Sequence, residues 1–61
     1  MKLYAVATKK DEEHKGQERH HLTLAAVVKR LKEEWGFYNI ETFETLEEAK
    51  AEWENRKIKM A

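Results

Sequence analysis

The sequence predicts a small two-layer α+β domain, with elements in the order β-β-α-β-α and two helices packed on one face of a three-stranded sheet. Three observations predict it. Residues 3–8 and 37–43 are rich in β-branched and aromatic side chains, the composition of strands. Leu24, Val27, Val28, Leu31 and Trp35 recur at intervals of three and four, which lines one face of an α-helix. Thr45-Leu46-Glu47-Glu48 has the form of a capping box and opens a second apolar stripe through Leu46, Ala49 and Trp53. An amphipathic helix must bury its stripe, and a small sheet offers the surface.

The first strand is expected over residues 3–8, followed by a charged turn over residues 9–17 around Gly16. Residues 18–23 suit either a second strand pairing back onto the first or the start of a helix. Thr23 is a candidate N-cap for the first helix, and Gly36 follows Trp35 where a C-terminal glycine belongs. In the third strand, regular alternation puts Tyr38, Ile40 and Thr42 on one face and Phe37, Asn39, Glu41 and Phe43 on the other. On the second helix, Lys50 with Glu54 and Glu52 with Arg56 are favourable i,i+4 pairs expected on the wet side. Residues 57–61 read as a basic tail or a short edge strand. The expected core is Leu3 or Tyr4, Val6, Leu24, Val27, Val28, Leu31, Trp35, Ile40, Phe43, Leu46, Ala49 and Trp53.

Residues 1–61 read as one domain, with no linker, repeat or low-complexity tract. A chain this short buries only about 60% of its unfolded surface, so its core is marginal. With no cysteine it has neither a disulfide nor a thiolate zinc site, and the composition suits a reducing cytoplasm or is indifferent to compartment, the cytoplasm being the expected setting. Its N-terminal apolar run covers residues 3–7 only, shorter than a secretory core or a membrane span.

The chemistry-bearing residues are few. Cysteine and serine are both missing, which leaves threonine and lysine as nucleophiles, and so small a domain can hardly wall off a pocket. The expectation is a protein that is not an enzyme and takes no cofactor. His20 and His21, with His14 nearby, form the one metal-like cluster, but neighbours on a strand point to opposite faces, so no metal site is expected. Zero net charge hides an uneven distribution. Residues 41–54 hold six glutamates and one lysine, whereas residues 1–10 and 55–61 carry only cations as charged side chains.

The order of several short strings resembles a known module. Tyr4-Ala5-Val6, Leu22-Thr23-Leu24, Phe43 and Thr45-Leu46-Glu47-Glu48-Ala49 stand as in the hybrid-binding domain at the N-terminus of eukaryotic-type ribonuclease H, shared with caulimovirus viroplasmin. The likeness spans roughly residues 3–53 and implies the fold, with the second strand at residues 18–22. The functional positions depart from it. Leu24 stands for the family's tryptophan, Glu41 and Thr42 for its lysines, and the turn holds Asp11, Glu12 and Glu13 in place of a basic, glycine-rich hairpin. The resemblance therefore implies the fold without implying hybrid binding.

The functional expectation is a small binding module that contacts another protein through an open sheet face or edge, in the manner of phage or plasmid accessory proteins that inhibit or redirect host machinery. Its contact residues would be Glu41, Glu44 and Glu48 as an acidic patch, with Tyr4 and Tyr38 on the exposed sheet. A second expectation, by fold analogy, is binding of double-stranded RNA or an RNA–DNA hybrid. It requires Lys9, Lys10, Arg19, Lys57 and Lys59 to converge on one face with an exposed aromatic, against the handicap of zero net charge. A third is a homodimer or larger homo-oligomer paired through a sheet edge or face.

Overall fold

The structure, a computed structural model, describes residues 1–11, 13 and 15–59. Glu12, His14, the side chain of Lys59 and residues 60–61 lie outside the described part, and so do the expectations placed on them. The elements are β1 (Tyr4–Asp11), β2 (Gln17–Leu24), a 3-10 turn (Ala25–Val27), α1 (Val28–Glu34), β3 (Tyr38–Phe43) and α2 (Leu46–Lys59). This is the small α+β domain the sequence predicts, built on an antiparallel sheet in the order β2-β1-β3.

β1 takes the centre because its first half is apolar on both faces. Ala5, Val6 and Ala7 are fully buried and Thr8 nearly so. The hairpin is longer than expected. The strands pair as far as Asp11 with Gln17, so Lys9 and Lys10 stand in the ladder opposite Arg19 and Glu18 and not in a turn. Lys15 and Gly16 both adopt positive φ, and the Gly16 amide returns to the Asp11 carbonyl at 3.2 Å. At the other end β2 runs through Leu24. Thr23 pairs with Ala5 and is not an N-cap, and α1 begins only at Val28, without a side-chain cap. Gly36, at φ 73°, ends that helix as expected, and the Phe37 amide returns to the Leu31 carbonyl at 3.1 Å.

The helices lie on opposite faces of the sheet, which corrects the two-layer arrangement. Val6, Thr8, Leu22, His20, Tyr38 and Glu41 share one face by register. α2 covers that face, where Arg56 donates to Thr8 Oγ1 at 3.2 Å and Ala49 is fully buried. Ala5, Ala7, Lys9, Arg19 and His21 share the reverse face, where Ala5 and Ala7 are fully buried and Trp35 and Phe37, at the end of the α1 segment, meet Lys9. There the Phe37 ring meets the His21 ring edge-on, with centroids 5.0 Å apart. The dimensions, 36 × 27 × 12 Å, agree with this reading. Three strands spaced about 4.8 Å account for the thinnest one, and about 10 Å per packed layer makes the 27 Å depth a helix, a sheet and a helix. Topology supplies the cause. β2 and β3 run parallel on either side of β1, so the chain between them must cross β1, and α2 is left with the other face.

β3 carries an irregularity that the expected alternation lacks. Between Val6 and Thr8 the pairing shifts by one residue, and Asn39 sits at φ 51°. This bulge brings Tyr38 onto the same face as Glu41 and Phe43, instead of the opposite one. Other side chains also move from their expected places. Leu3, Leu24, Trp35 and Leu46 are exposed, while Thr8, Phe37 and Arg56 are buried. Residues 57–59 continue α2 and form neither tail nor strand.

The capping box forms with one difference. The Glu48 amide donates to Thr45 Oγ1 at 3.3 Å, and the Thr45 hydroxyl donates to the Glu48 carboxylate at 2.9 Å, so the carboxylate takes the hydroxyl and not a backbone amide. Among the described residues no helix is long and apolar enough to cross a membrane.

Candidate functional site

The outer half of the hairpin extends past the cover of α1 and leaves a groove on the reverse face. Register places Lys9, Asp11 and Arg19 on its floor, because side chains two apart on a strand share a face. Trp35, just beyond the end of α1, forms one wall, and His21 lies beside it on β2. Lys10 and Glu13 complete the lining, and the groove measures about 700 Å3.

Its electrostatics follow from the pairing. Lys9 Nζ sits between two rings, 5.7 Å from the Trp35 centroid and 5.6 Å from that of Phe37, a cation–π arrangement that holds the ammonium in place. Arg19 Nε donates to Asp11 Oδ2 at 2.7 Å, while its side chain stays 62% exposed. Trp35 is 56% exposed, so the groove offers an open indole beside three cations, Lys9, Lys10 and Arg19. His21 titrates below the usual histidine range, first because it is partly desolvated and then because Arg19, Lys9 and His20 oppose a further positive charge.

A second hollow of about 390 Å3 adjoins the groove around the β2 edge. Arg19 and His21 line it too, together with His20, Trp53 and Lys57. Lys57 Nζ lies 4.1 Å from the Trp53 ring centre, and the Trp53 indole N–H donates to the His20 carbonyl at 2.8 Å. Of the five cations expected to converge, Lys9, Lys10 and Arg19 line one groove, Lys57 flanks it across the edge, and the side chain of Lys59 is outside the described part.

The acidic patch does not assemble in the same way. Glu41 lies 3.6 Å from Arg56 Nη2, Glu44 lies 3.9 Å from the terminal amine of Met1, and Glu48 is taken up in the helix cap. The two tyrosines stand on the α2 face and not on an open one, and the Tyr38 hydroxyl donates to Glu18. That bond to a carboxylate holds the phenol above its usual range. His20 and His21 point to opposite faces, as alternation requires. Among the described residues no three metal-ligating side chains gather.

Sequence reasoning missed Trp35 and Phe37 as part of this site. Trp35 fits a helical stripe by spacing, but it lies past the end of α1 and escapes the core. Alternation was the signal for the rest, because it puts His21 on the side of Lys9 and Arg19 once the strands are paired.

No family model matches this chain, and neither a curated protein nor a solved structure matches it.

Proposed function

We propose that the chain is a non-enzymatic module of the cytoplasm that binds a single strand of nucleic acid in the groove beside Trp35. One observation carries the reading. Lys9 and Arg19 share the face on which an exposed indole stands, with Lys10 at the margin of the groove, the pairing of cations with a stacking surface that strand-binding proteins use. Trp35 takes an unpaired base on its face, and the cations take the phosphates on either side. Three cations around one tryptophan suit a strand better than a duplex, which needs a longer array of charge. Asp11 engages Arg19 and tempers the local field, so binding is weak and salt-sensitive. The order of strands and helices, shared with the hybrid-binding domain that the sequence resembles, supports the reading at the level of fold only.

Titration of labelled single-stranded, duplex and hybrid oligonucleotides at several salt concentrations tests it. The logarithm of affinity for the single strand should fall against the logarithm of salt with a slope of about −2, from three phosphate contacts. Charge reversal at Lys9 or Arg19 should weaken binding about tenfold, while reversal at Glu44 or Glu47 leaves it unchanged. Absence of binding at low salt refutes the reading.

A second reading, contact with a protein partner at the same groove, is supported by Trp35 and Arg19, two residue types that dominate protein interfaces. A partner captured by the native chain and lost with Trp35→Ala, in a chain that binds no oligonucleotide, selects it. The acidic-patch form draws no such support, since Glu41, Glu44 and Glu48 each have a partner within the chain.

A further inference from the structure

We propose that binding in this groove is proton-linked through His21, so that the module holds an anionic strand more tightly as pH falls. The inference rests on the groove reading above and adds a means of regulating it. His21 lines both the groove and the hollow that adjoins it, so it borders the path of a strand bound there. Its ring is held edge-on against Phe37, with the planes at 82°, which fixes where its charge appears.

The charged groups around it come from every neighbouring element. β1 supplies Lys9, Lys10 and Asp11, β2 supplies Glu18, Arg19 and His20, the turn supplies Glu13, and α2 supplies Lys57. The connector after α1 brings the rings of Trp35 and Phe37, which carry no charge. In the free chain partial burial discourages protonation of His21 first, and the charges of Arg19, Lys9 and His20 add to the effect. A phosphate seated against Lys9 and Arg19 offsets those same two charges. It therefore removes the part of the opposition that those charges supply and gives the imidazolium an anionic partner that offsets its desolvation. Binding and protonation then favour one another, because each lowers the cost of the other.

The test uses a rhodamine-labelled oligothymidylate, since neither thymine nor the phosphodiester titrates near neutrality. Affinity is measured from about pH 8 to about pH 5.5, a range that spans the ordinary histidine value. The native chain should bind up to about tenfold more tightly at the acid end, for a rise of one unit in the histidine's pKa on binding. His21→Gln should bind with little pH dependence, and circular dichroism establishes that it remains folded. Calorimetry of the native chain in two buffers of different ionisation enthalpy should show proton uptake on binding, a readout that needs no variant. A pH dependence retained in His21→Gln, or binding without proton uptake, overturns the proposal and leaves the groove reading standing. Absence of oligothymidylate binding at every pH removes the groove reading and this proposal with it.

Discussion

Arg56 donates to the carbonyl oxygen of Asn39 at 2.7 Å, so α2 clamps the residue at which β3 leaves its register. The same guanidinium reaches Thr8 Oγ1 at 3.2 Å, the Val6 carbonyl at 3.5 Å and the Glu52 carboxylate at 2.7 Å. Its side chain is 7% exposed, and Nη2, which makes no hydrogen bond, lies 3.6 Å from the Glu41 carboxylate. A bulge turns backbone groups out of the ladder, and here a buried cation satisfies one of them. Breaking a buried ion pair costs about 3–5 kcal/mol. A domain of this length has about 3–9 kcal/mol in all. Arg56→Ala should therefore lose a large share of that stability, and Arg56→Lys, which keeps the charge but loses the fork, should be intermediate. Urea denaturation followed by far-ultraviolet circular dichroism measures both. A midpoint for Arg56→Ala close to that of the native chain would contradict this account of the bulge.

Asn39 itself gives a second prediction. Its φ of 51° is tolerated by asparagine and glycine but costs other residues about 1–2 kcal/mol. Asn39→Ala should lower the thermal midpoint by several degrees, and Asn39→Gly should leave it nearly unchanged. Equal losses from both would mean that the asparagine side chain matters and the backbone angle does not.

Trp53 guards the β2 edge. Its indole N–H occupies the His20 carbonyl, an edge acceptor that would otherwise be open to an incoming strand. The native chain should therefore run as a monomer across a dilution series in light scattering. Trp53→Phe should lose about 1 kcal/mol of stability and begin to associate as concentration rises. A native dimer paired through β2 would refute the guarding role.

His21 also ties stability to pH. Its pKa in the folded chain is lower than in the unfolded chain, so the unfolded state takes up the proton first as pH falls. The contribution from His21 is constant above about pH 7, declines as pH drops below about 6.5, and levels off below the folded value. His21→Gln should flatten that part of the stability profile. Denaturation midpoints at pH 7.5, 6.5 and 5.5 check it, and the outcome against the account is an unchanged decline in the variant.

Much of the fold was legible in the residues, and the failures have physical causes. The capping box at Thr45 and the terminating Gly36 are local signals that survived folding, whereas the N-cap candidate Thr23 was taken into β2. The placement of α1 did not follow from its stripe, since spacing tells which side of a helix is apolar and not which face of a sheet receives it. The uninterrupted apolar run at residues 3–7 carried that information, because a strand buried on one face alternates and this one does not. The bulge at Asn39 left only the faint mark of a residue that accepts positive φ. Arg56 reads as half of a solvated pair with Glu52, and nothing in the sequence says that α2 turns that pair toward the sheet. The groove was half visible, since its cations could be named but the exposure of Trp35 depends on where α1 stops.

The two indole N–H groups provide the most direct measurement. In an amide correlation spectrum the Trp53 indole is tied to the His20 carbonyl, whereas the Trp35 ring stands open at the groove. Titration with oligothymidylate at low salt should move the Trp35 indole resonance and the amides of Lys9, Lys10, Arg19 and His21, and leave those of Glu44 and Glu47 in place. A spectrum in which the Trp35 indole stays fixed while oligothymidylate binds elsewhere, or in which nothing moves, would contradict the assignment of this groove as the binding site.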